Sequence, residues 1–305
     1  MISIVVPVYN SSQFIHMLIQ EIEKERIKNN WELELVLVED GSKDNSFETI
    51  KDLSKNYNYI KIIKLARNFG HQIAVKTGLA HAKGDYIAVM DDDMQDPPNL
   101  LASFFKYLDD GMDVVYGVRK KRKESLFKRI GYLSFYRLLQ KLSSIDIPLD
   151  TGDFCVMKRK VVEQMLLLQE KNPFLRGIRA WVGFKQIGVE YERNSRVAGD
   201  SGYNLKKLFK IAFDGIFAFS NLPLKLISTS GFIGLLLAIS YSLRVLYAYF
   251  KYNIDVKGFT SLVILISFFS SLILICLGII GEYIARIYDE VRNRPYSVIE
   301  TKINL

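Results

Sequence analysis

Cysteine, histidine and tryptophan are scarce in this chain of 305 residues, with two, three and two copies respectively. Cys155 and Cys276 stand in such different contexts that they suit neither a metal cluster nor a disulfide. His16, His71 and His81 are scattered along the sequence and are expected to make no ligand set. No basic leader precedes the apolar start "MISIVVPVYN", and no cleavage site follows it, so a signal peptide is not expected. Repeats and low-complexity segments are also absent. Acidic residues are in deficit, 33 against 41 Lys and Arg, for a net charge of +8. Against that background three aspartates stand side by side in "VMDDDMQDPP" (89–98). Adjacent carboxylates repel, so the row costs folding energy unless a cation or hydrogen-bond donors compensate.

Long apolar runs are what the chain has in excess. Hydrophobic residues make up 49 % of it, and the mean hydropathy is +0.09. Ser228–Phe250 holds one charge, Arg244, and Phe259–Gly281 holds none. A helix of either length rises about 35 Å, enough for a hydrocarbon core of roughly 30 Å. Two buried core helices are the alternative. The short link Lys251–Gly258 predicts a helical hairpin with both outer ends on one side. Lys206, Lys207, Lys210 and Lys225 precede the hairpin and Arg286, Arg292, Arg294 and Lys302 follow it, against Lys251 and Lys257 in the link. The positive-inside bias therefore puts both flanks in the cytoplasm, and the protein in the cell membrane as a multi-pass chain. Arg244 falls toward the outer end, where its side chain can snorkel to the headgroups or pair with a neighbouring copy in a homo-oligomer.

The first 90 residues alternate. Strand-like runs at Ile2–Val8, Leu33–Val38, 60–65 and 85–90 are separated by helical patterns that carry Phe14, Ile15, Leu18, Ile19 and Ile22, then 46–55 and 71–82. This order predicts an α/β domain with a mostly parallel sheet and helices on both faces. Ligands of such sheets bind where strands end at their carboxyl edge. Tyr9-Asn10, Glu39-Asp40, Arg67-Asn68 and Asp91–Asp93 all fall there.

On an extended segment Asp91 and Asp93 point the same way and Gln95 continues the row. Two carboxylates and an amide oxygen suit a hard divalent ion, Mg²⁺ or Mn²⁺, with its remaining positions left to water or phosphate oxygens. Asp92 faces the other way and could accept a ribose hydroxyl.

"VVPVYN", "VEDGSKDNS", "ARNFG", "DDDMQDPP", "TGDF", "WVGF" and "GEYIARIYDEVRNRPY" follow one another in the order found in family 2 glycosyltransferases. The chain resembles that family, and within it the polyprenyl-phosphate glycosyltransferases. These include dolichyl-phosphate mannose synthase and, closer, the bactoprenol glucosyltransferases with two C-terminal membrane helices. The likeness covers nearly the whole chain and implies a GT-A, Rossmann-like fold. It further implies that Pro7, Tyr9 and Asp40 hold the uridine, with Glu39 and Arg67 on the nucleotide-sugar side and Asp92 near the ribose. Glu39 stands where the family usually has Asp. Asp91, Asp93 and Gln95 would hold the metal that bridges the donor diphosphate, and a divalent ion neutralises the leaving group's charge as it develops. Asp153 in "TGDF" matches the position proposed as catalytic base; capping the turn after Gly152 is its other reading.

The stretch 116–129, "YGVRKKRKESLFKR", carries seven basic residues and one acid, Glu124. It lacks interleaved stacking aromatics, which argues against nucleic acid, and a lipid phosphate at the bilayer surface explains both the charge and the anchor. By resemblance Arg119, Arg122 and Arg129 bind the acceptor phosphate, and Arg196 and Ser201 belong to a second phosphate-contacting loop. Asn204–Phe219 places Leu205, Leu208, Phe209, Ala212, Phe213, Ile216 and Phe217 on one face, with Lys206, Lys207 and Lys210 mostly off it. That pattern fits an interfacial helix, or one packed on the domain. The expected organisation is a cytosolic catalytic domain (1–203), an amphipathic juxtamembrane segment (204–227), a transmembrane hairpin (228–287) and a cytosolic C-terminal tail (288–305). The expected reaction moves one hexose from a UDP-sugar, with UDP-glucose the first choice, to a polyprenyl phosphate, inverting the anomeric carbon. A processive polysaccharide synthase is the first rival. Trp31 and Trp181 are the chain's only tryptophans, neither ends a Q-x-x-R-W motif, and two helices make a poor polymer channel. An inactive nucleotide-sugar-binding scaffold is the second, and the intact acidic row argues against it.

Overall fold

The computed structural model describes residues 1–119, 151–168, 170–171, 173–192, 222–252 and 258–305. The expected positions Arg122, Arg129, Arg196 and Ser201, and the amphipathic helix 204–219, lie outside these residues. By their contacts the residues fall into two units.

The first unit is built on a sheet of eight strands among the described residues. In chain order they are β1 (Ile2–Val8), β2 (Leu33–Glu39), β3 (Ile60–Leu65), β4 (Tyr86–Val89), β5 (Val114–Arg119), β6 (Thr151–Lys158), β7 (Gln186–Tyr191) and β8 (Ile299–Ile303). They lie side by side as β7-β5-β6-β4-β1-β2-β3-β8. The pairs β1–β2, β1–β4, β2–β3 and β5–β7 are parallel. β6 runs antiparallel to β4 and β5, and β8 antiparallel to β3. The sheet is Rossmann-like and mostly parallel, as the alternating pattern predicts.

The central strands β1 and β2 are buried on both faces, so they read as continuous apolar runs. Ile4, Val6, Leu35 and Leu37 face one helical layer, α1 (Ile15–Asn29), α2 (Ser46–Asn56) and α4 (Leu100–Asp109). Val5, Val36, Val38 and Ile63 face the other, α3 (His71–His81), α5 (Arg159–Leu167) and α6 (Leu175–Trp181). The buried stripe Ile15, Leu18, Ile19 and Ile22 on α1 is the predicted one. Cys155 is buried in the α3 layer, where it packs as a small hydrophobe. Phe104 of α4 packs at a tilt against Phe154 of β6, ring centroids 5.0 Å apart, and Phe154 likewise against Tyr191 at 5.6 Å. That aromatic column anchors the strand that carries Asp153.

The chain's last twelve residues, Arg294–Leu305, belong to this first unit. The return of the tail as a sheet strand is not visible in the polar pattern "SVIETKINL".

The second unit contains α7 (Leu222–Tyr252) and α8 (Phe259–Val291). Among the described residues one helical stretch, Phe268–Val291, is long and apolar enough to cross a membrane. In α7 a shorter apolar stretch, Thr229–Tyr241, stands out. Leu237, Leu243, Phe250, Leu274, Ile275 and Leu277 are exposed.

Candidate active site

Four strand ends converge at the carboxyl edge. Beyond β1, Asn10 takes a left-handed conformation, φ 54°, which asparagine tolerates. The turn presents the exposed Tyr9 and laces the loop to its neighbours. The Tyr9 amide donates to Asp92 Oδ2 at 3.2 Å, and the Ser11 hydroxyl donates to the same oxygen. The Asn10 amide donates to Ser42 Oγ at 3.1 Å, and Asn10 Oδ1 accepts from the Lys43 amide at 2.8 Å. Pro7 is buried within β1, paired with Val38.

At the end of β2, Glu39 and Asp40 are both buried. Glu39 Oε1 accepts from the Ser42 amide, while Oε2 has no hydrogen-bond partner among the described residues. Asp40 fixes the turn that leads into α3: its two oxygens accept from the Phe69 amide at 2.7 Å and the Gly70 amide at 2.9 Å. Burial pushes its proton affinity up, and these two amides oppose the shift. Gly41 is required by contact as well as by its φ of 66°, because a Cβ there would lie 2.4 Å from the Asn68 backbone nitrogen. Arg67 lies over the Phe69 ring at 4.2 Å.

The acidic row departs from the extended arrangement expected of it. Met94 takes a φ of 60°, so the chain bends between Asp93 and Gln95, and Asp93 Oδ1 accepts from the Gln95 amide at 3.2 Å. A short polar side chain that captures an amide two residues on favours a turn over a strand. Asp92 reaches toward the β1 loop, where it accepts from Tyr9 and Ser11.

Asp153 reaches the site through strand register. β6 pairs antiparallel with β4, with Val89 opposite Cys155, and two further residues set Asp153 opposite Asp91. Asp153 is buried and held from three directions. His71 Nε2 lies 3.0 Å from its Oδ2, Gln72 Nε2 donates to the same oxygen at 3.1 Å, and Arg176 Nε donates to Oδ1 at 2.8 Å. Desolvation favours its neutral form, but the Arg176 charge and the His71 bond outweigh it and hold the carboxyl well below its usual range. Asp91 behaves oppositely. Desolvation, followed by crowding from Asp96, Asp153 and Asp93, raises it to about 7 although His71 opposes. Desolvation disfavours the His71 cation, yet Asp153 and Asp91 push its pKa up to about 9.

The histidines are thus not all idle. His71 Nε2 lies 3.6 Å from Asp91 Oδ1, and ligand atoms of His71, Asp91 and Asp153 fall within 4.8 Å of one another. "Scattered" held only along the sequence: His71 opens α3 and reaches Asp153 on β6. Gln72 and Arg176 were also missed. Their available signals were nearness to "ARNFG", which leads into α3, and to "WVGF", which begins at the end of α6.

The carboxylates fit a hard divalent cation by chemistry. Burial and then the charges of Asp96, Asp153 and Asp93 raise the pKa of Asp91, and a cation beside it would relieve that crowding.

Arg119 ends β5, and Gly152 makes room for it. A Cβ on Gly152 would lie 2.6 Å from Arg119 Nη2. Arg119 neighbours Asp96 and Tyr191, whose hydroxyl donates to Asp96 Oδ1 at 2.5 Å.

Residues 3–166 match the family described as Glycosyl transferase family 2. The chain is 46 % identical over 299 residues to the uncharacterized glycosyltransferase YkcC of Bacillus subtilis (strain 168), covering 98 % of this chain and 93 % of the relative. It is 36 % identical over 300 residues to the SfII prophage-derived bactoprenol glucosyl transferase of Shigella flexneri, covering 98 % and 97 %. Among solved structures it resembles the mannosyltransferase PcManGT of Pyrobaculum calidifontis, determined with GDP-Man and Mn²⁺. The TM-score is 0.51 at 20 % identity, over 71 % of this chain and 63 % of that one. This last likeness concerns the GT-A fold alone.

Proposed function

The chain belongs to glycosyltransferase family 2, and from that premise we propose that it transfers one glucosyl residue from UDP-glucose to a polyprenyl phosphate at the cytoplasmic membrane face. The observation that carries this reading is the near end-to-end likeness to a bactoprenol glucosyl transferase, joined to an apolar helix of membrane-spanning length.

Sheet connectivity supports a two-span anchor. β1 and β8 belong to one sheet, so the two ends of the chain share a compartment and the crossings between them are even in number. With α8 as one crossing, α7 supplies the second.

On the donor side, Pro7, Tyr9, Glu39, Asp40 and Arg67 surround the nucleoside. The unpartnered Glu39 Oε2 is an acceptor for a nucleobase N–H. Asp92 holds the Tyr9–Ser11 loop in place beside the ribose. Asp91, Asp93 and Gln95 would hold Mg²⁺ or Mn²⁺, which when bound neutralises charge on the departing diphosphate. On the acceptor side Arg119, with Arg122, Arg129, Arg196 and Ser201, takes the lipid phosphate. That phosphate has a second pKa near 6, so at pH 7 it is largely dianionic and nucleophilic without help. Asp153, an anion whose oxygens already accept from three side chains, is therefore a positioning carboxylate. It fixes the cations His71 and Arg176 where two anionic substrates approach. Attack from the face opposite the leaving nucleotide inverts the anomeric carbon, since no second nucleophile intervenes.

The test uses membranes containing the full chain and radiolabelled UDP-glucose, UDP-galactose or GDP-mannose with undecaprenyl phosphate. Label from UDP-glucose should enter the organic phase. Label from GDP-mannose alone would displace the donor assignment, and no lipid label from any donor would displace the acceptor.

A further inference from the structure

The segment Arg294–Ile303 docks on the α3 face as well as on the edge of the sheet. Lys171 Nζ donates to the Arg294 carbonyl. The Tyr296 ring covers Lys76 Nζ at 4.9 Å from its centroid, and Ser297 Oγ lies 3.0 Å from Thr77 Oγ1. The Ala66 amide donates to the Val298 carbonyl at 2.9 Å before β8 joins β3. Burial pushes the Tyr296 hydroxyl up, which agrees with a seated ring.

Lys76 is the hub of this contact. It is buried, 2 % exposed, and its Nζ donates to the Leu168 carbonyl at 2.9 Å and the Glu170 carbonyl at 3.2 Å. One turn earlier on the same face of α3, Gln72 Oε1 accepts from the Leu175 amide at 3.0 Å while its Nε2 reaches Asp153. Helix α3 therefore clasps the segment 168–175 at both ends. The residue that follows the clasp is Arg176, which holds the other oxygen of Asp153. Two of the three side chains on Asp153, His71 and Gln72, stand on α3, and the third, Arg176, directly follows the stretch that α3 holds.

We propose that the C-terminal segment is a positioning element of the catalytic site: Tyr296 seats Lys76, Lys76 locks segment 168–175 to α3, and the lock sets His71, Gln72 and Arg176 on Asp153. The inference rests on the reading of Asp153 as the acceptor-side carboxylate.

The test compares full-length wild type, Tyr296→Ala, Tyr296→Phe and Lys76→Met in membranes. It measures kcat and donor KM with UDP-glucose and undecaprenyl phosphate, normalised to folded protein, and hydrogen exchange across 71–77 and 168–175. Tyr296→Ala and Lys76→Met should lower kcat about 10-fold with donor KM unchanged and speed exchange in both segments, while Tyr296→Phe, which keeps the ring over the cation, restores both. In a Gln72→Ala background, Tyr296→Ala should cost much less, since both act through one clasp. Wild-type kcat and exchange in Tyr296→Ala would overturn the proposal, as would a full additive loss in the Gln72→Ala background. If wild type itself transfers no sugar, the functional reading fails instead, and the exchange measurement still decides the clasp.

Discussion

Arg176→Met probes the electrostatic centre of the site. Arg176 Nε lies 2.8 Å from Asp153 Oδ1, and the two side chains are 27 % and 8 % exposed. Removing one partner of a buried pair costs about 3–5 kcal/mol, because a buried charge is left behind. Here the arginine is partly solvated, and His71 and Gln72 still hold Oδ2, so about 2–3 kcal/mol is expected. For a unit of this size each kcal/mol moves Tm by roughly 2–4 °C, which gives a fall of about 4–12 °C. Trp31, packed edge-on against Phe105 at 5.4 Å, reports unfolding of this unit by fluorescence. In an Asp153→Asn background the same substitution should cost less than about 1 kcal/mol, since the charge it compensates is gone. Sugar transfer should fall as Asp153 loses its orientation. An unchanged Tm in Arg176→Met, or an equal loss in both backgrounds, would refute the view that this arginine is what keeps Asp153 ionised in a buried site.

Asp93→Ala should abolish transfer without unfolding the chain, and EDTA should do the same to wild type until Mn²⁺ or Mg²⁺ is restored; full activity in EDTA would remove the metal from the account. Gly152→Ala should push the Arg119 guanidinium aside at little cost in stability, because the clash is with the end of a flexible side chain. A charge-assisted contact is worth about 1.5–3 kcal/mol, so kcat/KM for the acceptor should fall roughly 10- to 150-fold, with UDP binding intact. At the opposite edge of the sheet, Glu34 accepts from Ser3 Oγ at 2.5 Å and pairs with Lys61. Burial favours its neutral form, but Lys61, Ser3 and the Lys83 amide outweigh that and lower its pKa from 4.5. A depressed folded-state pKa adds stability that is present above the unfolded value and lost as pH falls through the folded one. Glu34→Gln should therefore flatten the acid limb of stability against pH, and an unaltered limb would contradict this. In intact cells a cysteine at Asp255 should react with an impermeant maleimide and one at Glu300 should not; the reverse pattern would invert the membrane topology.

The β1–β4 half of the fold was legible because its central strands are buried on both faces and each helix shows an apolar stripe. Ile2–Val8 and the Ile15–Ile22 stripe are examples. The converging strand ends followed from the same alternation, which brought Tyr9, Asp40 and Asp91 to one edge before any contact was known. What did not show was everything set by long-range pairing. The approach of Asp153 to Asp91 depends on the β4–β6 register, and 61 residues of chain separate the two. His71, Gln72 and Arg176 carry ordinary polar side chains that gain meaning only once helices α3 and α6 point at one carboxylate. The eighth strand is a polar edge strand of five residues, too short and too exposed for its pattern to stand out. The bend at Met94 was hidden for a local reason, since Asp93 captures an amide and turns the row.

The account stands most directly on the mass of the lipid product. Full-length protein given UDP-glucose, Mn²⁺ and undecaprenyl phosphate should yield undecaprenyl phosphate heavier by a single hexose, with the anomeric configuration opposite to that of the donor. A ladder of hexose additions, retention of configuration, or unmodified lipid beside consumed UDP-glucose would contradict it.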